Sequence, residues 1–336
     1  MKRQGPDPIR PRCLAHTPVT LRNSIDFSSI RVLDGGMATE LERRGCDISG
    51  PLWSAHVLDQ SPATIAAVHL DYLRAGADCI STASYQVSAQ GYRELTQDPA
   101  AAARQAERAL RQSVEIAEQA RALYALEDPR RVWIAASLGP YGAALHNGAE
   151  YHGRYAIAFD DLVAFHAERL AILAETNAVL LAFETIPSLE EAQAILRALE
   201  PFPALTAWIS FTCRDAALVA HGEPLRDCAR ALAVSSQVAA IGINCTAPSH
   251  ITPLIIESRF GHSDGKPTIV YPNSGETWDA ATRNWRGHAD STQFGLLARE
   301  WFRAGAQAVG GCCRTGPAHI AAVARAARAS IPAASS

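Results

Sequence analysis

Residues 74–85 read Arg74-Ala75-Gly76-Ala77-Asp78-Cys79-Ile80-Ser81-Thr82-Ala83-Ser84-Tyr85. Gly76 reads as a helix stop, because a left-handed residue ends a helix and glycine adopts that conformation without a Cβ penalty. Apolar residues follow at once, so the helix passes directly into a strand. The first four residues recur as Arg303-Ala304-Gly305-Ala306, ahead of Val309-Gly310-Gly311-Cys312-Cys313. The echo supports one repeated structural unit near both ends of the chain, with chance recurrence in an alanine-rich sequence as the alternative.

Working outward, apolar runs fall at 32–34, 79–84, 132–138, 178–183, 205–211, 238–243, 268–271 and 308–310. Several are apolar on both faces, as strands of a covered parallel sheet must be. Amphipathic stretches at 62–75, 99–125, 158–175, 189–199, 224–234, 249–258, 290–304 and 317–329 predict the intervening helices. In the first, Ile65, Val68, His69, Tyr72 and Leu73 share one face near a period of 3.6. Ser61-Pro62 and Asp98-Pro99 each offer a capping side chain before a proline suited to a first helical turn. Eight βα units in about 300 residues predict the α/β class, as a closed (β/α)8 TIM barrel.

A single domain over 29–331 accounts for these units. Residues 1–28 are rich in Arg and Pro and lack the apolar core of a secretory signal, so a disordered N-terminal extension is expected, with an organelle transit peptide as the alternative that the prolines oppose; 332–336 form a short tail. Apolar residues make up 48% and charged residues 19%, enough for a sizeable core. The net charge of -3 is dispersed, which argues against nucleic acid or an anionic membrane as partner. No apolar run approaches the roughly 18–20 residues of a spanning helix. The eight cysteines, without a signal peptide, suit reduced thiols in a cytoplasmic protein.

Barrel chemistry gathers where strands end and βα loops begin. There the sequence places Asp34-Gly35-Gly36, Thr82-Ala83-Ser84-Tyr85, Glu184-Thr185, Asn244-Cys245, Pro272-Asn273-Ser274 and Gly311-Cys312-Cys313. Cys245, Cys312 and Cys313 thus converge on one mouth. Three thiolates and a vacant position suit a reactive zinc centre. Neighbours on a regular strand face opposite ways, so Cys312 and Cys313 can share an ion only if the strand breaks, which Gly310-Gly311 permits. Inert thiols, or a bond between the neighbours, are the alternatives for that pair. Cys46, Cys79, Cys213 and Cys228 read as core residues. Asp34 is a candidate ligand for an ammonium group, or else a cap for a helix near Met37. Glu184, on an apolar strand, needs a cation: a ligand's ammonium or a protein arginine. His146, Glu150 and His152 read as part of a substrate loop, with a His/Glu metal site as the alternative.

Together, Leu33-Asp34-Gly35-Gly36-Met37, Phe183-Glu184-Thr185, Gly242-Ile243-Asn244-Cys245, Tyr271-Pro272-Asn273-Ser274-Gly275-Glu276 and Gly310-Gly311-Cys312-Cys313-Arg314-Thr315 resemble the homocysteine S-methyltransferase family, over residues 30–329. The resemblance implies a (β/α)8 barrel with Zn2+ on Cys245, Cys312 and Cys313. It puts amino-acid binding on Asp34 and Glu184, with Thr82 and Ser84 beside them, and backbone amides near Gly35 are expected to receive the amino acid's carboxylate. It implies methyl transfer from S-methylmethionine, or S-adenosylmethionine, to homocysteine. A selenocysteine or betaine-type methyltransferase is the alternative within the family, and a non-catalytic zinc-binding barrel the alternative outside it. Trp53, Tyr85, Tyr141 and Trp278 are candidate aromatic walls for a sulfonium. Oligomeric state is left open.

Overall fold

The structure, a computed structural model, describes residues 25, 27–48, 54–261, 265–279, 284–286 and 290–330. The expected extension and tail fall almost wholly outside these residues, as does Trp53.

Helices α1 (Met37–Arg43), α2 (Ser54–Gln60) and α3 (Pro62–Ala75) precede strand β1 (Cys79–Ser81). Then come α4 (Ala89–Thr96), α5 (Pro99–Tyr124), β2 (Trp133–Leu138), α6 (Tyr141–Ala144), α7 (Phe159–Ala174) and β3 (Leu180–Ile186). The chain continues through α8 (Leu189–Leu199), β4 (Thr206–Phe211), α9 (Leu225–Ala233), β5 (Val238–Asn244), α10 (Pro248–Gly261) and β6 (Thr268–Tyr271). A hairpin of β7 (Thr277–Asp279) and β8 (Asn284–Arg286) follows, then α11 (Ser291–Ala304), β9 (Ala306–Val309) and α12 (Pro317–Ala329).

Seven strands pair in parallel in the order β1-β2-β3-β4-β5-β6-β9. Residues 32–33 occupy the eighth position and close the ring: Val32 bridges Val309 and Leu33 bridges Cys79, both in parallel. The expected first strand is thus a two-residue bridge, because Gly35 and Gly36 turn the chain towards α1 immediately after Asp34. The hairpin β7–β8 had no counterpart among the expected elements; it is an insertion beyond the end of β6.

Both glycine stops form as expected. Gly76 and Gly305 have φ of 106° and 109°, and each chain enters its strand within three residues. Asp98 caps α5 by accepting from Ala100 N at 2.9 Å, whereas the side chain of Ser61 makes no such bond and Pro62 alone marks the start of α3. Alternation along the strands builds two cores. Leu33, Cys79, Trp133, Ala135, Leu180, Ala182, Trp208, Ala240, Ile269 and Ala308 point inward and fill the barrel. Their neighbours, such as Ile80, Ile134, Leu181, Ile209, Ile241 and Val270, point out against the helices. Ile25 and Phe27 pack with the inner set, Phe27 edge-on to Trp208 at 6.1 Å. The packed interior leaves the C-terminal strand ends as the place for a site.

Candidate active site

A cavity opens at the C-terminal ends of the strands. Its wall includes Asp34, Gly35, Thr82, Glu184, Cys245, Cys312 and Cys313. Seven of the eight residues expected at the site therefore share one cavity. The eighth, Ser84, is fully buried behind it: its hydroxyl pairs with Thr82 Oγ1 at 2.6 Å and donates to Ser137 O at 2.8 Å. Thr82 Oγ1 also accepts from Ser137 N at 3.0 Å, so both hydroxyls are committed to joining β1 and β2.

The three sulfurs lie within 4.8 Å of one another, a group able to hold a metal ion. Cys245 Sγ and Cys313 Sγ are 3.6 Å apart. Two backbone departures bring them together. β9 ends at Val309, and beyond the glycines Cys312 N donates to Pro272 O at 2.8 Å while Cys313 N donates to the Asn273 side chain at 3.2 Å. A Cβ on Gly36 would meet Cys312 O at 2.6 Å, so glycine there lets the α1 turn approach the cysteine loop. Cys245 itself has φ of 49°, a strained value for a side-chain-bearing residue of the kind found at functional sites. Among the described residues, His146, Glu150 and His152 form no group of metal-ligand geometry; His152 Nδ1 instead accepts from Arg154 N at 3.0 Å.

A homocysteine S-methyltransferase family profile matches residues 31–327 of the chain. The chain belongs to the homocysteine S-methyltransferase family. It is 46% identical to homocysteine S-methyltransferase YbgG of Bacillus subtilis, over 92% of this chain and 98% of that one. It is 43% identical to the homocysteine S-methyltransferase of Escherichia coli, covering 90% and 97% respectively. The crystal structure of the metallated form of the Escherichia coli homocysteine methyltransferase superposes with a TM-score of 0.76 at 40% identity, covering 88% of this chain and 96% of that one. The fold is thus that of the family's barrel, and the chain is a methyltransferase.

In this family member the electrostatics of the cavity ask for positive charge. Burial pushes the Asp34 carboxyl up to about 7, although Ser81 N and Oγ both donate to it, at 2.7 and 3.2 Å. Those bonds also dispose of the capping alternative, since Gly36 is the N-cap of α1 and no side chain caps it. Burial, and then the neighbouring Cys312 and Asp34, push Glu184 well above the carboxylate range. Its Oε1 is buried without a partner, and no described ion pair joins it to an arginine. Hydrogen bonds from Cys245 and Cys312 hold the Cys313 thiol well below its usual range, while the contacts of Cys245 with Cys312 and Cys313 push the Cys245 thiol up.

Tyr85 lines the cavity, and so does Tyr151, whose hydroxyl is 3.6 Å from Cys245 Sγ. Tyr141 does not: its ring packs on Tyr155 and Phe165. The side chain of Trp278 lies outside the described residues. Tyr151 was missed in the sequence because a lone tyrosine in a loop carries no periodic or motif signal.

Proposed function

We propose that the chain is a zinc-dependent homocysteine S-methyltransferase that moves a methyl group from a small sulfonium donor, S-methylmethionine or S-adenosylmethionine, to homocysteine. One observation carries the reading: three clustered sulfurs and two carboxylates, the buried Asp34 and the half-buried Glu184, line the same cavity.

The donor set fits zinc, which favours thiolates and in catalytic sites keeps three protein ligands and one open position. Among the described residues no fourth Cys, His or carboxylate joins the trio. When bound, zinc supplies the Lewis acidity that keeps an incoming thiol as thiolate near neutral pH, where a free thiol of pKa ~8.5 is only a few per cent ionised.

The protein's own groups do the positioning. The unpartnered Oε1 of Glu184 and the carboxylate of Asp34 take the acceptor's ammonium, and that cation restores both to their ionised forms. Gly35 offers backbone at the same wall. Tyr85 and Tyr151 present aromatic faces to the donor's sulfonium. The acceptor sulfur bonds to the methyl carbon as the donor's carbon–sulfur bond breaks, and that electron pair leaves on the neutral thioether. With S-methylmethionine both products are methionine. Holding both reactants in line contributes roughly 7–11 kcal/mol towards the barrier. Three reduced thiols suit a cytoplasmic setting.

Metal analysis followed by methionine formation from homocysteine with each donor tests this. About one zinc per chain is expected, with turnover on S-methylmethionine exceeding that on S-adenosylmethionine. Cys245→Ala should fold yet lose both metal and turnover. Wild-type protein that is metal-free, or that forms no methionine from either donor, overturns the reading.

A further inference from the structure

Beneath the cavity wall lies a buried polar chain that the mechanism above leaves unused. Arg169 and His166 on α7 and Glu191 on α8 are 2%, 0% and 0% exposed. Arg169 Nη2 donates to His166 Nδ1 at 2.7 Å, which fixes that nitrogen as the acceptor and puts the imidazole proton on Nε2. Nε2 then donates to Glu191 Oε1 at 3.0 Å. Burying such a chain is costly, and packed apolar side chains of similar volume would hold α7 to α8 equally well. Its outward contacts supply a reason for it.

Those contacts all reach one loop. Arg169 Nη1 donates to Gly139 O at 2.9 Å, Glu191 Oε1 accepts from Tyr141 N at 2.6 Å, and Glu191 Oε2 accepts from the Tyr155 hydroxyl. Gly139 and Tyr141 begin the loop and Tyr155 ends it, so both stems are tied to the same carboxylate chain. Between them the loop carries Tyr151 to Cys245. A Cβ on Gly142 would meet Glu150 N at 2.5 Å, so the anchored stem and the tip are in direct contact. Displacement of one must move the other.

We propose that Arg169, His166 and Glu191 are positioning residues that hold loop 139–155 over the cavity, and so set the affinity for substrate rather than the chemistry at sulfur. None of the three lines the cavity. The kinetic consequence rests on the methyl-transfer reading; the anchoring of the loop does not.

Tyr155→Phe removes one tether without altering buried charge, and Glu191→Gln keeps the shape while neutralising the acceptor. Hydrogen exchange by mass spectrometry and steady-state kinetics are run on the metal-loaded protein. In Tyr155→Phe, amide exchange across 141–153 should rise about tenfold with β2 to β5 unchanged, while KM for homocysteine rises roughly three- to tenfold and kcat stays within about twofold. Glu191→Gln should move both readouts further the same way; should it fail to fold, Tyr155→Phe decides alone. Unchanged exchange in the loop, or exchange raised evenly through the barrel, overturns the positioning role. A loosened loop with unaltered KM overturns its link to substrate. Wild-type protein that transfers no methyl group fails the functional reading instead, and the exchange measurement still judges the anchor.

Discussion

The side-chain amide of Asn244 grips Thr185 twice: its Oδ1 accepts from Thr185 N at 2.8 Å and its Nδ2 donates to Thr185 Oγ1 at 2.9 Å. Thr185 follows Glu184, and Asn244 precedes Cys245. One amide therefore ties the carboxylate at the end of β3 to the thiol at the end of β5, two strands away. Thr185 and Cys245 are both left-handed, with φ of 61° and 49°, and the bonds hold that strain in place. Asn244→Ala should cost about 2–3 kcal/mol, because Thr185 N is left buried and unpaired. Thermal unfolding should register a fall of roughly 5 °C, and metal should dissociate faster. An unchanged midpoint would show that the strain is held elsewhere.

Glu184→Gln removes the charge intended for the acceptor's ammonium while keeping the side chain's shape. KM for homocysteine should rise about 10- to 100-fold, with a smaller effect on kcat, as expected for lost binding made equally in ground and transition states. Steady-state kinetics at saturating donor measure this. A kcat effect with KM intact would reassign Glu184 from binding to catalysis.

Gly242 makes room for the support under the cavity. A Cβ there would stand 1.9 Å from Ser210 Oγ, the atom that accepts from Tyr271 OH at 2.7 Å. Tyr271 in turn accepts from Trp208 Nε1 at 3.0 Å and lines the cavity. Gly242→Ala should destabilise by about 1–3 kcal/mol through overpacking. Adding Ser210→Ala should restore part of the loss in urea unfolding. No recovery in the double variant would place the clash on backbone rather than on the hydroxyl.

His69 predicts an acid limit. Its ring is fully buried on α3 with neither nitrogen hydrogen-bonded, and burial pushes its pKa down to about 4. The native state resists the proton while the unfolded chain accepts it near 6.5. Its contribution is therefore whole above the unfolded value and is lost as pH falls from about 6.5 to 4, by roughly 3 kcal/mol in all. Urea unfolding at pH 7, 5 and 4 measures the slope, and His69→Leu should flatten it. A variant with the wild-type slope would assign the acid loss to other groups.

Much of the scaffold was legible because it rests on local rules. The glycines at 76 and 305 stop helices wherever they fall, and alternating apolar runs select strands. The same locality located the candidate site: β9 breaks at Gly310-Gly311, as two adjacent cysteines facing one point require. Other features depend on partners far away in sequence. Ser61 precedes a proline as a capping residue should, yet its side chain makes no cap bond. Ser84 sits beside site residues in sequence, yet is turned behind the wall by Ser137. Tyr141 looked like an aromatic wall and instead packs against Tyr155 and Phe165.

The order of the eight barrel strands and of the main helices between them, the barrel, and the convergence of Cys245 with Cys312 and Cys313 follow from the chain alone, because each is set by periodicity or by short-range backbone freedom. Only the tertiary structure decided that residues 32–33 close the ring as a bridge, that Asn244 clamps Thr185, and that Arg169, His166 and Glu191 anchor loop 139–155. The physical reason is range. A hydrogen bond between residues tens of positions apart leaves no periodic trace, and whether it forms is settled by how the whole barrel packs.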